Sequence, residues 1–353
     1  MLPVVLLLSL VAPPDSVRLV TSDIPNFWRA YGMAAGKDSA EQVRIYQTIY
    51  LHGGSPGLRD WLVLRLMNRG VVRERMIAAG WRAGQLDSLP RDSLARVREP
   101  FAERSAAEEL AHAVAMFPRY YADVRAHTLS LAADTSVTRS IRRGLAGLTD
   151  LYPEARFPDV YFVIGTLSTG GTAGPSGMLI GTEQYGSGPD TPREELPDWA
   201  KVATAAHSFA NLARLVVHEA VHTQQGSAGS GGGQRSTLLR QALVEGVADF
   251  LTDLALGPRS LAEPREIYGR AHEHAVWVDF KDEMATDSTV RTWMYNGMVP
   301  PDKNHGAVDI GYWVGSRIAR AYCERAADKR AAVRELLRLE DAERLLAESG
   351  YSP

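Results

Sequence analysis

The chain contains one cysteine, Cys323, in 353 residues. That excludes an internal disulfide framework, a CxxC pair and a thiolate-rich zinc cage, so any transition metal must be held by histidine and carboxylate. Net charge is equally scarce, since 39 Lys+Arg against 42 Asp+Glu leave −3. No global field exists to attract nucleic acid or an anionic membrane. The sequence has no apolar run of the ~20 residues that a spanning helix needs. It also lacks a 20–50-residue repeat and a G-x-x-x-x-G-K-[ST] string, so integral-membrane, solenoid and P-loop classes are set aside. What is present, at 45% hydrophobic residues, builds a sizeable core. The length suggests two domains at roughly 150 residues each.

An apolar stretch from Leu2 to Ala12 precedes Pro13 and Pro14 and has the length of a signal-peptide core, about 7–15 residues. No basic residue comes before Arg18. The reading is a signal peptide over 1–17 and export to the periplasm or beyond, with a cytoplasmic chain bearing a greasy N-terminal strand as the alternative. No cysteine follows the run, so a lipid anchor on cysteine is not expected. From Ile24 to about Tyr152 apolar residues recur every three or four positions, predicting a helical scaffold over 18–152, with Ser55 and Pro56 opening one of its helices. The texture changes at Pro158. Asp159–Ile164 and Met178–Ile180 predict two short strands joined as a hairpin by the glycine-rich stretch Thr166–Gly177. Helices are predicted over about Thr204–Gln225 and Ser236–Leu256, separated by a Gly/Ser linker at Gly226–Gly233, and a last helical segment runs from Tyr312 to Glu348. The class is α+β, predominantly helical, with a small sheet and a catalytic region at 153–353.

The chemistry is concentrated in His218-Glu219-Ala220-Val221-His222. An HExxH string should arise by chance on the order of 0.013 times in a chain of this composition. Histidines four apart on a helix project from one face and can share one ion, while Glu219, rotated about 100°, can address a water on that ion. A third ligand is Glu245, 23 positions past His222 and on the next predicted helix, where Gly246 would let the two helices approach closely. Asp249 shares the face of Glu245 and can accept the outward N–H of a ligand histidine. His272 and His274 read as surface, and Trp277, Phe280, Trp293 and Tyr295 as packing residues. One zinc ion per chain, on His218, His222 and Glu245, is the expected cofactor.

At HEAVH and EGVAD the chain resembles gluzincin metallopeptidases. More narrowly, it resembles a bacterial family of predicted zinc-dependent proteases related to gliding-motility lipoproteins. The strings carrying this narrower likeness are TSDIPNFW (Thr21 to Trp28), GSPGLRDW (Gly54 to Trp61), VYFVIG, TGGT, WMYNG (Trp293 to Gly297), DIGYWVG (Asp309 to Gly315) and ESGY (Glu348 to Tyr351). The resemblance implies a zincin-like core, the same ligand set, Glu219 as base, and a sheet edge at DVYFVIG or GMLIG that takes an extended peptide as an added strand. The lipid-anchor cysteine of the motility lipoproteins is missing from this sequence.

These readings combine into a zinc peptidase in which Glu219 activates a metal-bound water. Tyr312, His305 and Tyr295 are the candidates for the second donor to the oxyanion, Tyr312 first. The partner is then a peptide or protein substrate. Two alternatives stay open: an envelope protein with a structural metal, and a zinc hydrolase of non-peptide amides or esters. A fourth ligand such as His207 or His305 would favour a structural site.

Overall fold

The computed structural model describes residues 16–64, 70–133, 136–167, 170–225, 236–261, 263–296 and 305–353. The signal-like start through residue 15 and the Gly226–Gly233 linker lie outside the described residues. The fold is predominantly helical α+β, with a single four-stranded sheet among the described residues. None of the described helices is long and apolar enough to cross a membrane.

Two compact units divide the chain. The first comprises described residues of 17–135 and 158–212. Its helices are α1 (Asp23–Ala34), α2 (Ser39–Ile45, continued by a π turn Tyr46–Leu51), α3 (Pro56–Leu62), α4 (Gly70–Ala78), α5 (Ala83–Ser88), α6 (Arg91–Met116) and α7 (Pro118–Ser130). Ser55 caps α3 as expected, its hydroxyl accepting the Leu58 N–H at 3.2 Å with Pro56 behind it. Phe27 lies against Trp28, Tyr46, Tyr50 and Tyr121 in one aromatic core.

The strands are β1 (Leu19–Val20), β2 (Val160–Val163), β3 (Gly171–Ala173) and β4 (Met178–Gly181), in the order β1-β2-β4-β3. The expected hairpin is corrected here. β2 and β4 run parallel, Val160 opposite Met178, and the glycine-rich stretch supplies β3, which pairs antiparallel with β4. DVYFVIG and GMLIG are therefore the two central strands, β2 being covered by β1 at Val160 and Tyr161 and β4 by β3 at Met178–Ile180. Their composition explains the placement, since every residue of β2 and β4 is buried and a strand apolar on both faces belongs inside a sheet.

The predicted helix from Thr204 to Gln225 is likewise broken. It ends as α10 (Asp198–Ala206), and α11 (Leu212–Gln224) begins after a short 3-10 turn at Phe209–Asn211. The break has a polar cause: the Ser187 hydroxyl donates to the carbonyls of Thr204 (3.0 Å) or His207 (2.9 Å), and Arg193 also donates to that of Thr204 (3.1 Å). With α9 (Thr182–Tyr185) these elements complete the first unit, except that α11 passes into the second at Ala213.

The second unit comprises residues 136–157 and described residues of 213–353. Packing thus divides the chain at more points than a single boundary at 152/153. α8 (Ser136–Leu151) joins the C-terminal helices because its stripe Val137, Ile141, Leu145 and Leu148 is buried there. Gly144 and Gly147 admit the close contact: a Cβ on Gly144 would stand 2.4 Å from Val217, and one on Gly147 2.9 Å from the Ala255 carbonyl oxygen. The centre of the unit is α12 (Leu238–Leu256), capped by Thr237 and buried nearly all round from Leu238 to Thr252, as suits a core helix. Around it lie α13 (Pro264–Ala271), α14 (Glu273–Glu283), α15 (Val290–Trp293) and α16 (Ile310–Arg325). The last helical segment is three helices, with α17 (Lys329–Arg338) and α18 (Ala342–Ser349) restarted by the side-chain caps Asp328 and Asp341.

Candidate metal centre

α11 and α12 carry the centre, and both belong to the second unit. His218 and His222, one turn apart on α11, bring their Nε2 atoms to 3.0 Å from each other. Glu245 Oε2 of α12 stands 3.2 Å from each of them. Among the described residues these three form a set whose ligand atoms lie within 4.8 Å of one another, and no fourth histidine, cysteine or carboxylate joins it.

What surrounds the three atoms decides their chemistry. His218 Nδ1 faces Asp249 Oδ1 at 3.0 Å. A carboxylate only accepts, so Nδ1 carries the proton and the Nε2 of a neutral ring carries a lone pair. His222 Nδ1 lies 2.7 Å from Gln225 Oε1, while the amide nitrogen of Gln225 donates to the Val244 carbonyl at 2.8 Å. That second bond fixes which end of the amide faces the ring, and it gives His222 the same tautomer. Glu245 is oriented too: its other oxygen, Oε1, accepts from the Tyr295 hydroxyl at 2.5 Å, leaving Oε2 for the histidines. Three donor atoms converge on one point: protons on the imidazoles hold them to Glu245 where no ion is bound, and once deprotonated they offer three electron pairs to one cation. The donor set fits a zinc ion, which takes imidazole nitrogen and carboxylate oxygen.

Titration follows the same logic. Burial alone would lower the His218 pKa, but hydrogen bonds to Asp249 and Glu245 raise it to about 10. Burial would raise that of Glu245, yet the two histidines hold it well below the usual carboxylate range. Glu219 differs, since its partly buried carboxyl is raised by desolvation against the opposing influence of His222 and His218. It is the basic carboxylate beside the set and not a member of it.

Asp249 is itself pinned. Arg259 and Arg265 reach it at 2.7 and 2.8 Å, and although burial would raise its pKa, Arg265 and Arg259 keep it ionised. Arg265 also lies over the ring of Tyr312 (5.1 Å), which is stacked along His218 with ring centroids 6.3 Å apart. Tyr312 therefore lies beside the His218 ring. Tyr295 reaches the centre directly, and it is 42% exposed, unlike the fully buried Trp293, so its expected packing role is corrected. Its backbone is left-handed at φ 55°, as is that of Asp309 at 56°, and reciprocal bonds between Asn296 and Asp309 hold both bends (3.1 and 2.7 Å).

His305 is not brought to the set. It stacks on Trp293 at 3.7 Å and faces Thr292 and Glu283. His207 belongs to the first unit, stacked on Tyr185. His272 and His274 are exposed, as expected. Gly246 makes its close approach to α16 and not to α11, since a Cβ there would stand 2.2 Å from the Gly315 backbone. Gln225, Arg259 and Arg265 were not foreseen. Gln225 had a faint signal, three residues past His222 and thus one turn on, whereas neither arginine had any in the sequence.

Residues 101–353 match the family described as gliding motility protein GldB. Neither a curated protein nor a solved structure matches the chain.

Proposed function

The chain belongs to the GldB lipoprotein family of gliding-motility proteins, and within it we propose an exported envelope protein whose centre binds one zinc ion and hydrolyses peptide bonds. The observation that carries this reading is the convergence of the His218, His222 and Glu245 donor atoms with both histidine tautomers fixed from behind. A structural zinc site is usually closed by four protein ligands, whereas a three-ligand set beside an unused carboxylate suits catalysis. Bound there, zinc would supply Lewis acidity toward a water and a substrate carbonyl.

The remaining steps fall to the chain. The Glu219 carboxylate takes the proton of the attacking water and returns it to the leaving nitrogen, and its buried setting makes it the more basic. Asp249 and Gln225 keep the imidazoles in register, and Tyr295 keeps Glu245 Oε2 turned toward them. Tyr312, lying along His218, supplies a hydroxyl for the developing oxyanion.

Metal analysis of the purified chain should give one zinc, and a peptide library should be cleaved. Glu219→Gln should retain the zinc and lose cleavage by roughly 10²-fold or more. Equal turnover in the zinc-loaded variant would sink the mechanism. The family description names motility and not hydrolysis, which favours a second reading, an envelope protein with a structural metal. Under it, zinc would bind stoichiometrically and raise the melting temperature, and neither wild type nor variant would cleave any peptide.

A further inference from the structure

The second unit has another concavity, of about 460 Å³, formed by residues outside the ligand set. Its walls are Leu151 of α8, Phe250 and Leu254 of α12, Cys323 of α16 and Val333 of α17. The volume falls within the ~300–1,000 Å³ of small-ligand sites, which are mostly apolar with a few convergent polar groups. Leu254 is 43% exposed on this wall, an aliphatic side chain left facing water. A smaller void beside it shares Leu151 and Val333 and adds Leu148, Val221, Leu251 and Leu337, so the apolar lining continues inward.

The rim is polar and unevenly engaged. Lys329 spends its ammonium on the carbonyls of Cys323, Glu324 and Ala326 at 2.8, 2.8 and 2.9 Å, closing the end of α16. Asp150 and Glu324 are exposed carboxylates on the same rim, so an anionic ligand must lie toward the arginine side. Arg320 lies over the Phe250 ring at 5.2 Å and reaches Asp253 only at 3.9 Å. Asp253 is already served by Arg214 and Arg259, so Arg320 is its loosest partner. Arg330 is exposed on the same rim, and its charge acts on the Asp328 carboxylate.

We propose that this cavity binds one aliphatic chain ending in a carboxylate, a ligand of the fatty-acid class. The hydrocarbon lies against Leu151, Phe250, Leu254 and Val333, and the carboxylate pairs with Arg320 and Arg330. The site is independent of the zinc reading, since it shares no residue with the ligand set.

Titration calorimetry with dodecanoate below its micellar concentration tests it. One chain should bind per protein, and decanoate, two methylenes shorter, should bind about 15-fold more weakly, at roughly fourfold per methylene withdrawn from water. Dodecanol should bind more weakly than dodecanoate, and Arg320→Gln should erase that difference while leaving dodecanol unchanged. Leu254→Trp, which fills the mouth, should abolish binding. Because Cys323 is the single cysteine and lines the wall, bound dodecanoate should also slow its alkylation by a maleimide. No heat of binding, several chains per protein, equal affinity for dodecanol, or undiminished binding by the folded Leu254→Trp variant would each overturn the proposal.

Discussion

Both units bury carboxylates, and they use them in opposite ways. In the first unit Asp60 accepts the Ser176 backbone N–H at 2.6 Å, Asp23 that of Ser55 at 3.1 Å and Glu183 that of Leu167 at 3.0 Å. Each acid closes a loop. In the second, Asp249 and Glu245 are engaged by side chains, and those side chains are turned so that their donor atoms meet at one point. Buried polarity answered by backbone is architecture; buried polarity answered by oriented side chains whose donor atoms converge on one another is a site. The histidines repeat the contrast. Burial without a charged partner pushes His207 down to about 4, and burial among carboxylates lifts His218 to about 10.

The comparison breaks most readily at Asp249. Asp249→Ala leaves Arg259 and Arg265 buried without their shared carboxylate and frees the His218 ring. The expected loss is about 3–5 kcal/mol of stability, measured by denaturant unfolding. Where the variant folds, a chelator competition should show zinc held roughly 10–100-fold more weakly. A change below about 1 kcal/mol would mean that Asp249 acts no differently from the loop-closing acids of the first unit.

How much of this was legible in the sequence depends on whether the signal was local. His218 and His222 are four apart, so spacing alone puts them on one helix face with Glu219 rotated about 100° from it, and Glu245 and Asp249 follow from a second helix whose reversal the Gly/Ser stretch implies. Arg259 and Arg265 belong to a different segment, and their part depends on how the chain folds back after α12, which no periodicity encodes. The sheet shows the same limit. DVYFVI announced a strand, yet its parallel pairing with β4 depends on β3 occupying the far edge, a choice among long-range partners. Tyr295 stands in the sequence both as a packing residue and as a donor candidate, and the left-handed backbone at this position, which would decide between them, has no residue-level mark.

A pH series sharpens the histidine half of the contrast. The unfolded His207 titrates near 6.5 and the folded one near 4, because burial opposes its charge and, among the described residues, Nδ1 has no hydrogen-bond partner. Between those values the unfolded chain binds the extra proton. Stability is therefore complete above pH 6.5 and falls as pH drops toward 4, by up to about 3 kcal/mol at 1.36 kcal/mol per unit. His207→Phe keeps a ring against Tyr185 and removes the titration. Thermal unfolding of both proteins from pH 7 to 4.5 should show a shallower acid decline in the variant. Parallel curves would place His207 with the solvated histidines instead.

The smallest effect is the most discriminating. Asp60 is buried, its carboxyl pKa is raised by desolvation, and its bonds to Ser176 pull the other way. An asparagine offers the same carbonyl oxygen to the Ser176 N–H without a charge to desolvate. Asp60→Asn should accordingly change stability by no more than about 1 kcal/mol in either direction, since the hydrogen bond survives. The matching Asp249→Asn exchange also keeps an oxygen, yet it removes the charge on which two arginines and a histidine depend. If loop closure and site assembly are distinct uses of a buried acid, the two Asn variants must separate by several kcal/mol in the same denaturant experiment. Equal values would reduce the second unit's network to ordinary packing and remove the physical basis for treating its convergent atoms as a metal centre.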